Sequence, residues 1–161
     1  YWRDGLGSDA AVLDGFATAL VLSAEGHVLA VRAADATLNA GRVYLPGGFI
    51  DERDITATGL VDIDGSVARE LAEETGLDAA ALDRVPGYIV TRLGRHCSFC
   101  VAFRSRLGTD ALREQMLSGI ARDRDRELAD VIAMRDEDDL ARHEVLDHAR
   151  LLMSFALGVP V

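Results

Sequence analysis

Arg69 is followed by Glu70, and Glu73 and Glu74 stand three and four residues further on. On a helix, at about 100° per residue, these three carboxylates fall within one arc of about 100°. Like charges so placed destabilise an isolated helix by roughly 0.2–0.5 kcal/mol per pair. Two arrangements relieve that repulsion. One is a fully solvated acidic face. The other is a cation: three hard oxygen donors on a rigid element suit Mg²⁺ or Mn²⁺. The surroundings favour the second. Pro46-Gly47-Gly48 lies shortly upstream, where paired glycines let a carbonyl or a phosphate come close to the backbone. Arg69 can hold a carboxylate or a phosphate.

The flanking pattern predicts the elements that must position these groups. Residues 15–23 and 28–32 read as two apolar strands of a hairpin, joined by the turn at 24–27. A connector spans 33–41, and a short strand at 42–45 ends at Pro46-Gly47-Gly48. Residues 51–65 form a charged loop without apolar period. The acidic helix is expected over 66–75, with Asp64 or Ser66 as its N-terminal cap and Gly76 as its left-handed stop. Ala68, Leu71, Ala72 and Thr75 would pack on the sheet. Strands are expected at 87–93, 98–107 and 128–134, and helices at 109–120 and 141–157, with a solvated charged loop at 122–126. Val145, Leu146, Ala149, Leu152, Met153 and Phe155 would form the inner stripe of the last helix. Interleaved strands and helices predict an α/β or α+β single domain across 1–161, in which 1–13 could form a loose arm.

Residues 69–77 resemble the second half of the Nudix box, G-x5-E-x7-R-E-U-x-E-E-x-G-U, where U is a bulky aliphatic residue. Arg-Glu, Leu71, Glu-Glu, Gly76 and Leu77 match it in order. The Pro-Gly-Gly turn is also typical of that family, and the resemblance extends over roughly 15–157. It implies an α/β/α sandwich with a mixed sheet flanked by helices. It also implies hydrolysis of a nucleoside diphosphate linked to another group: a nucleotide sugar, a dinucleotide or a nucleoside triphosphate. Mg²⁺ or Mn²⁺ would be the cofactor. By position, Glu70 and Glu74 would ligate metal, and Glu73 would be a ligand or a base. Arg69 would orient a carboxylate, and the Gly47 carbonyl would be a backbone ligand. Glu127 would supply a further acid, with Asp130 in reserve. Arg32, Tyr44 and Gly48 would contact substrate.

The chain departs from the box in one place. After Gly48 and five intervening residues comes Asp54 rather than Glu, and fourteen residues rather than seven separate it from Arg69. Asp54, Asp62 or Asp64 could each fill the first acid's role, or none could. The extra residues, 55–61, read as a loop elaboration at the mouth of the site. The alternative is that Ile55, Leu60 and Val61 plug an apolar gap.

The remaining signals bound the function. The 161 residues carry 17 basic and 27 acidic side chains, a formal net charge of -10, which disfavours binding to nucleic acid or anionic membranes through bulk charge. The expected partner is a nucleotide-type small molecule, and a homodimer is left open. No apolar run is long enough to span a bilayer, and two Cys make no disulfide framework, so a cytoplasmic setting is expected. His96, Cys97 and Cys100 lack the fourth ligand of a structural zinc site. Cys97 and Cys100 would also point to opposite strand faces. His143 and His148 are expected on the surface of the last helix. A coenzyme A signature is matched only in its tail, 41–48, and Pro86 lies closer to the box than in ADP-ribose hydrolases. The competing class is a non-catalytic nucleotide sensor on the same fold, and the retained Glu70, Glu73 and Glu74 argue against it.

Overall fold

The computed structural model describes residues 13–123 and 126–159. Two long strands, β1 (Asp14–Leu22) and β7 (His96–Arg104), run parallel in unbroken register, from Asp14 beside His96 to Leu22 beside Arg104. Their side chains alternate between two apolar clusters, as a period of two requires. Ala17, Ala19, Val21, Val101 and Phe103 meet Val67 and Leu71 of α1 (Ile63–Thr75) and Leu112 and Met116 of α2 (Thr109–Ile120). Leu20, Leu22, Cys100 and Ala102 meet Leu140 of α3 (Glu137–Arg142) and Leu152 and Met153 of α4 (Asp147–Leu157). A sheet buried on both faces explains why β1 reads as an almost continuous apolar run. The result is the expected α/β/α sandwich with a mixed sheet.

β1 pairs with β2 (Val28–Ala33) only at Val21 and Leu22. Further back along β1, its place is taken by β4 (Gly47–Phe49), with Thr18 opposite Gly47, Ala17 opposite Gly48 and Phe16 opposite Phe49. β2 in turn carries β3 (Val43–Tyr44) and β8 (Leu128–Met134). β5 (Asp83–Arg84) and β6 (Ile89–Leu93) both pair with β7. β1 and β2 therefore part, and the chain between β3 and β4 crosses the gap.

Four expectations are corrected. The acidic helix begins at Ile63, with Asp62 as its cap, accepting a hydrogen bond from the Gly65 amide at 2.9 Å. Ser66 is buried within the helix, and the inward stripe is Val67, Leu71 and Thr75, while Ala72 is exposed. The helix expected over 141–157 is broken. The Val43 amide donates to the Glu144 carbonyl at 2.8 Å, and the Leu146 amide donates to the Val43 carbonyl at 3.0 Å. Residues 143–146 thus join the sheet edge, and α4 starts only at Asp147. Phe155, placed in the core by its spacing, is 67% exposed. β4 and β5 are short pairings that sequence period does not reveal.

Candidate functional site

Burial of Val67 and Leu71 turns the opposite side of α1 toward β4 and leaves Glu70 and Glu74 there, one turn apart. The Gly47 amide donates to Glu74 Oε2 at 2.9 Å. A Cβ on Gly48 would lie 2.6–2.8 Å from the carboxylate atoms of Glu70, and one on Gly47 would lie 2.2 Å from the Ala17 carbonyl oxygen. Gly47 is therefore a steric requirement of the β4 backbone against β1, whereas a side chain at Gly48 would displace the Glu70 carboxylate. Burial raises the pKa of Glu74 to about 8; Glu70, Glu127 and Asp123 add repulsion, against the pull of the Gly47 amide. Glu127 immediately precedes β8, and its charge, like that of Glu74, also raises the pKa of the half-buried Tyr44, for which burial is the first cause.

Arg69 is clamped on the flank of this pair. Its Nη1 donates to Glu70 Oε1 at 2.5 Å and its Nη2 donates to Asp54 Oδ1 at 2.8 Å. Asp54 is buried, and its Oδ2 accepts the Asp51 amide at 3.0 Å across a 3-10 turn, Glu52–Asp54. Burial alone would raise the pKa of Asp54, but these hydrogen bonds and the Arg69 charge together hold it below the usual value. Of the three acids left open by the sequence, Asp54 meets Arg69. Asp62 caps α1, and Asp64 accepts from Arg84 Nε at 2.5 Å and from the Tyr88 hydroxyl. Glu73 lies 3.7 Å from Arg69, with 62% of its side chain exposed.

Residues 55–61 form a small closed hairpin. Ile55 and Val61 bridge, the Thr56 amide donates to the Leu60 carbonyl, and the Asp62 amide closes the base on the Asp54 carbonyl at 2.7 Å. Ile55, Leu60 and Val61 are 53%, 68% and 49% exposed, which removes the plug. Asp130 is engaged by Arg113 Nη2 at 2.8 Å and by the Val131 amide. Arg32 is held by the Gly41 carbonyl at 3.1 Å and lies 3.3 Å from His143 Nδ1, away from the lining of the cavity described below. Cys97 and Cys100 are both free, and the second is buried.

Oxygen donors and concentrated negative charge fit Mg²⁺ or Mn²⁺ in kind. Among the described residues, no three His, Cys, Asp or Glu side chains already stand as a closed cage. Glu70 and Glu74 meet the glycine backbone, while Glu73 extends into solvent.

On the other face of β4 lies a cavity of about 420 Å³, large enough for a small-molecule ligand. Gly47, Gly48 and Tyr44 line it, so these residues border both the carboxylates and the cavity. Phe16, Asn39 and His148 line it too, and sequence reasoning missed all three. His148 is half-buried rather than a surface residue. Nothing local marks these positions, because the cavity is made by long-range pairing.

A family profile described as "NUDIX domain" matches residues 14–152. The chain belongs to the NUDIX family. No curated protein matches the sequence significantly. Solved structures share the fold of this NUDIX chain. A MutT protein from Methanosarcina mazei Go1 has 19% identity over 92% of this chain and 96% of its own, with a TM-score of 0.58. The NUDIX domain of Shewanella oneidensis NrtR, complexed with ADP ribose, has 20% identity over 96% and 94%, with a TM-score of 0.55. A bifunctional NMN adenylyltransferase/ADP ribose pyrophosphatase from Francisella tularensis, complexed with AMP and a Mn ion, has 20% identity and a TM-score of 0.58. The match covers 97% of this chain but 44% of that one. At these identities the likeness is one of fold. Among the described residues, no helix is long and apolar enough to cross a membrane.

Proposed function

We propose that this NUDIX protein is a divalent-metal-dependent pyrophosphohydrolase. It cleaves a nucleoside diphosphate linked to another group, in a nucleotide sugar, a dinucleotide or a nucleoside triphosphate. One observation carries the reading: Glu70 and Glu74 rest on the Gly47–Gly48 backbone, and a nucleoside-sized cavity lies across the same two glycines. Glu70, Glu74 and the Gly47 carbonyl would hold Mg²⁺ or Mn²⁺, with Glu73 as a further ligand or base and Glu127 as an outer acid. The bound cation would neutralise phosphate charge and lower the pKa of an attacking water. Arg69, fixed by Asp54, holds the Glu70 carboxylate in one orientation. Tyr44 and Gly48 contact the substrate from the cavity wall, and Arg32 contacts it from outside that lining. The net charge of -10 makes a small nucleotide a better partner than nucleic acid or membrane. The free Cys97 and Cys100 suit the cytoplasm. The functional unit is a single domain across 1–161.

The test is a panel of nucleotide-X compounds with Mg²⁺ or Mn²⁺, scored by released phosphate species, on wild type and Glu74→Gln. The variant keeps a hydrogen-bond acceptor for Gly47 and should keep its fold. Its kcat should fall by about 100-fold or more, because transition-state charge loses a fixed partner. Turnover should stop in excess chelator. A near-wild-type rate, or turnover unchanged after confirmed metal removal, would return the acidic arc to a solvated surface. Tight nucleotide binding without cleavage of any compound would make the protein a sensor.

A further inference from the structure

Two edges of the sheet are guarded and one is open. At β3, the Val43 amide and carbonyl are taken by residues 144 and 146. At β8, the Val131 carbonyl accepts from Arg113 Nε at 2.7 Å. β6, among the described residues, pairs only with β7. The ladder fixes which of its main-chain groups point outward. The Asp14 amide donates to the Arg95 carbonyl at 2.8 Å, so odd-numbered residues from Arg95 onward turn their main chain toward β1, and even-numbered ones turn toward β6. Ile89, Thr91 and Leu93, opposite Cys100, Ser98 and His96, therefore take the bonds to β7. The amides and carbonyls of Val90 and Arg92 face away from the sheet, and among the described residues no group bonds them. β6 has none of the devices that keep an edge from pairing: it contains no Pro and runs five residues in unbroken register. α4 packs on the Ile89 face, which leaves the Val90 face open. Val90 is 55% exposed, and Tyr88, just ahead of the strand, is 49% exposed.

We propose that β6 is a docking edge for a second copy of this chain, with the two β6 strands antiparallel about Val90. With Val90 opposite the partner's Val90, Arg92 lies opposite the partner's Tyr88, and Tyr88 opposite the partner's Arg92. The outward main-chain groups of Val90 and Arg92 then meet those of Val90 and Tyr88 in the other copy. The side chains match as well. The Tyr88 hydroxyl donates to Asp64, and the Arg84 guanidinium lies over the Tyr88 ring, 5.2 Å from its centroid. Arg92 donates from Nε to the Gly94 carbonyl at 3.3 Å and meets no carboxylate among the described residues. It is the cation that reaches the Tyr88–Asp64 pair of the other copy. One edge thus carries both a cation and its acceptor, at positions that a two-fold axis brings together, and this favours a second copy over an unrelated strand. A pairing centred on Thr91 would set Arg92 opposite Val90 and leave Tyr88 unmatched. Two chains of formal charge -10 repel over most of their surface, and Arg92 brings a cation to the contact.

The experiment is sedimentation velocity on wild type, Val90→Pro, Arg92→Glu and Tyr88→Lys, at about 0.15 M NaCl, where a Debye length of about 8 Å damps the general repulsion. A short edge gives a weak, reversible dimer, so wild type should pass from monomer to dimer with a Kd of about 10–100 µM. Val90→Pro removes an outward amide that no bond within the chain uses, so the fold should survive and the dimer should weaken about tenfold or more. Arg92→Glu turns an acid toward the partner's Asp64, and Tyr88→Lys turns a base toward the partner's Arg92. Each alone should weaken the dimer about tenfold. An equimolar mixture of these two variants should associate more tightly than either alone, because the new acid and the new base then stand opposite each other. Thermal melts check that each variant is folded. If Val90→Pro is not, the mixture carries the test, since both of its changes are on exposed side chains. A wild type that stays monomeric up to about 500 µM, well above that Kd, would overturn the proposal. So would a dimer that the variants leave unchanged, or a mixture no tighter than its components.

Discussion

A carboxylate with 3% of its side chain exposed, as in Asp54, is poorly placed to meet an ion arriving from solvent and well placed to hold a guanidinium. Asp54 accepts from Arg69, and Arg69 donates to Glu70, so a charge outside the glycine cradle orients one inside it. Asp54→Asn preserves shape and removes the charge. Loss of an orienting partner typically costs 10–100-fold in metal affinity or activity, and kcat should fall by about that much. The melting temperature should also drop, because Arg69 loses a buried partner, though its own 25% exposure and its bond to Glu70 soften the loss. Steady-state kinetics and a thermal melt on the same sample separate the two effects. An unchanged kcat with a lowered melt would make the pair purely structural. The helical acids were legible in the sequence because their spacing is local: i, i+3 and i+4 lie on one face whatever the rest of the fold does. The choice of Asp54 over Asp62 and Asp64 was not, since it depends on which acid the loop turns inward. His148 and Asn39 gave no signal, because they approach Phe16 only through strand pairing and the placement of α4.

At the scale of elements, the hairpin of residues 55–61 is closed at its base by the Asp62 amide on the Asp54 carbonyl. Deleting those seven residues would join two positions already in hydrogen-bond contact. Asp62 remains available to cap α1, and Asp54 to hold Arg69. Its apolar side chains are half-exposed or more, so little burial is lost. Loop-closure entropy changes by only about 0.6 kcal/mol per doubling of length, which favours the shorter chain slightly. The deleted protein should melt within a few degrees of wild type and keep metal-dependent cleavage. Its ranking of substrates by kcat/KM should change, since the hairpin stands outside the cradle. A folded variant inactive on every substrate would show that the hairpin helps build the site. The order of elements was readable from periodicity, and β1, β2, β8 and α2 fall near their expected bounds. The break before α4 was not. Residues 141–157 carry helical spacing throughout, but two backbone bonds to Val43 are gained only if 143–146 is extended. Tertiary pairing outweighs local propensity there.

At the scale of the whole molecule, a formal charge of -10 surrounds a site where Glu70, Glu127 and Asp123 already raise the cost of ionising Glu74. The fold holds this repulsion in place through the packing of Val67 and Leu71 on the sheet, which fixes the acidic side of α1 whether or not a cation is present. A divalent ion bound by the folded chain and not by the unfolded one must then stabilise the fold. At a concentration 100 times Kd the gain is about 2.7 kcal/mol. For a chain of this size each kcal/mol is worth about 2–4 °C, so Mg²⁺ or Mn²⁺ should raise the melting temperature by roughly 5–11 °C. Screening of the general surface charge would also raise it, but that effect follows ionic strength and is produced equally by NaCl. The decisive comparison is a melt in the divalent salt against NaCl at matched ionic strength, for wild type and for Glu70→Gln/Glu74→Gln. Wild type should show a divalent-specific excess that saturates, and the double variant should show none. In chelator the double variant should melt at or slightly below wild type, because Glu74 is already largely protonated at neutral pH and Arg69 loses its ion pair with Glu70. Equal shifts in both proteins would mean that the cation is held elsewhere, and the Gly47–Gly48 cradle would then be a packing contact between β4 and α1.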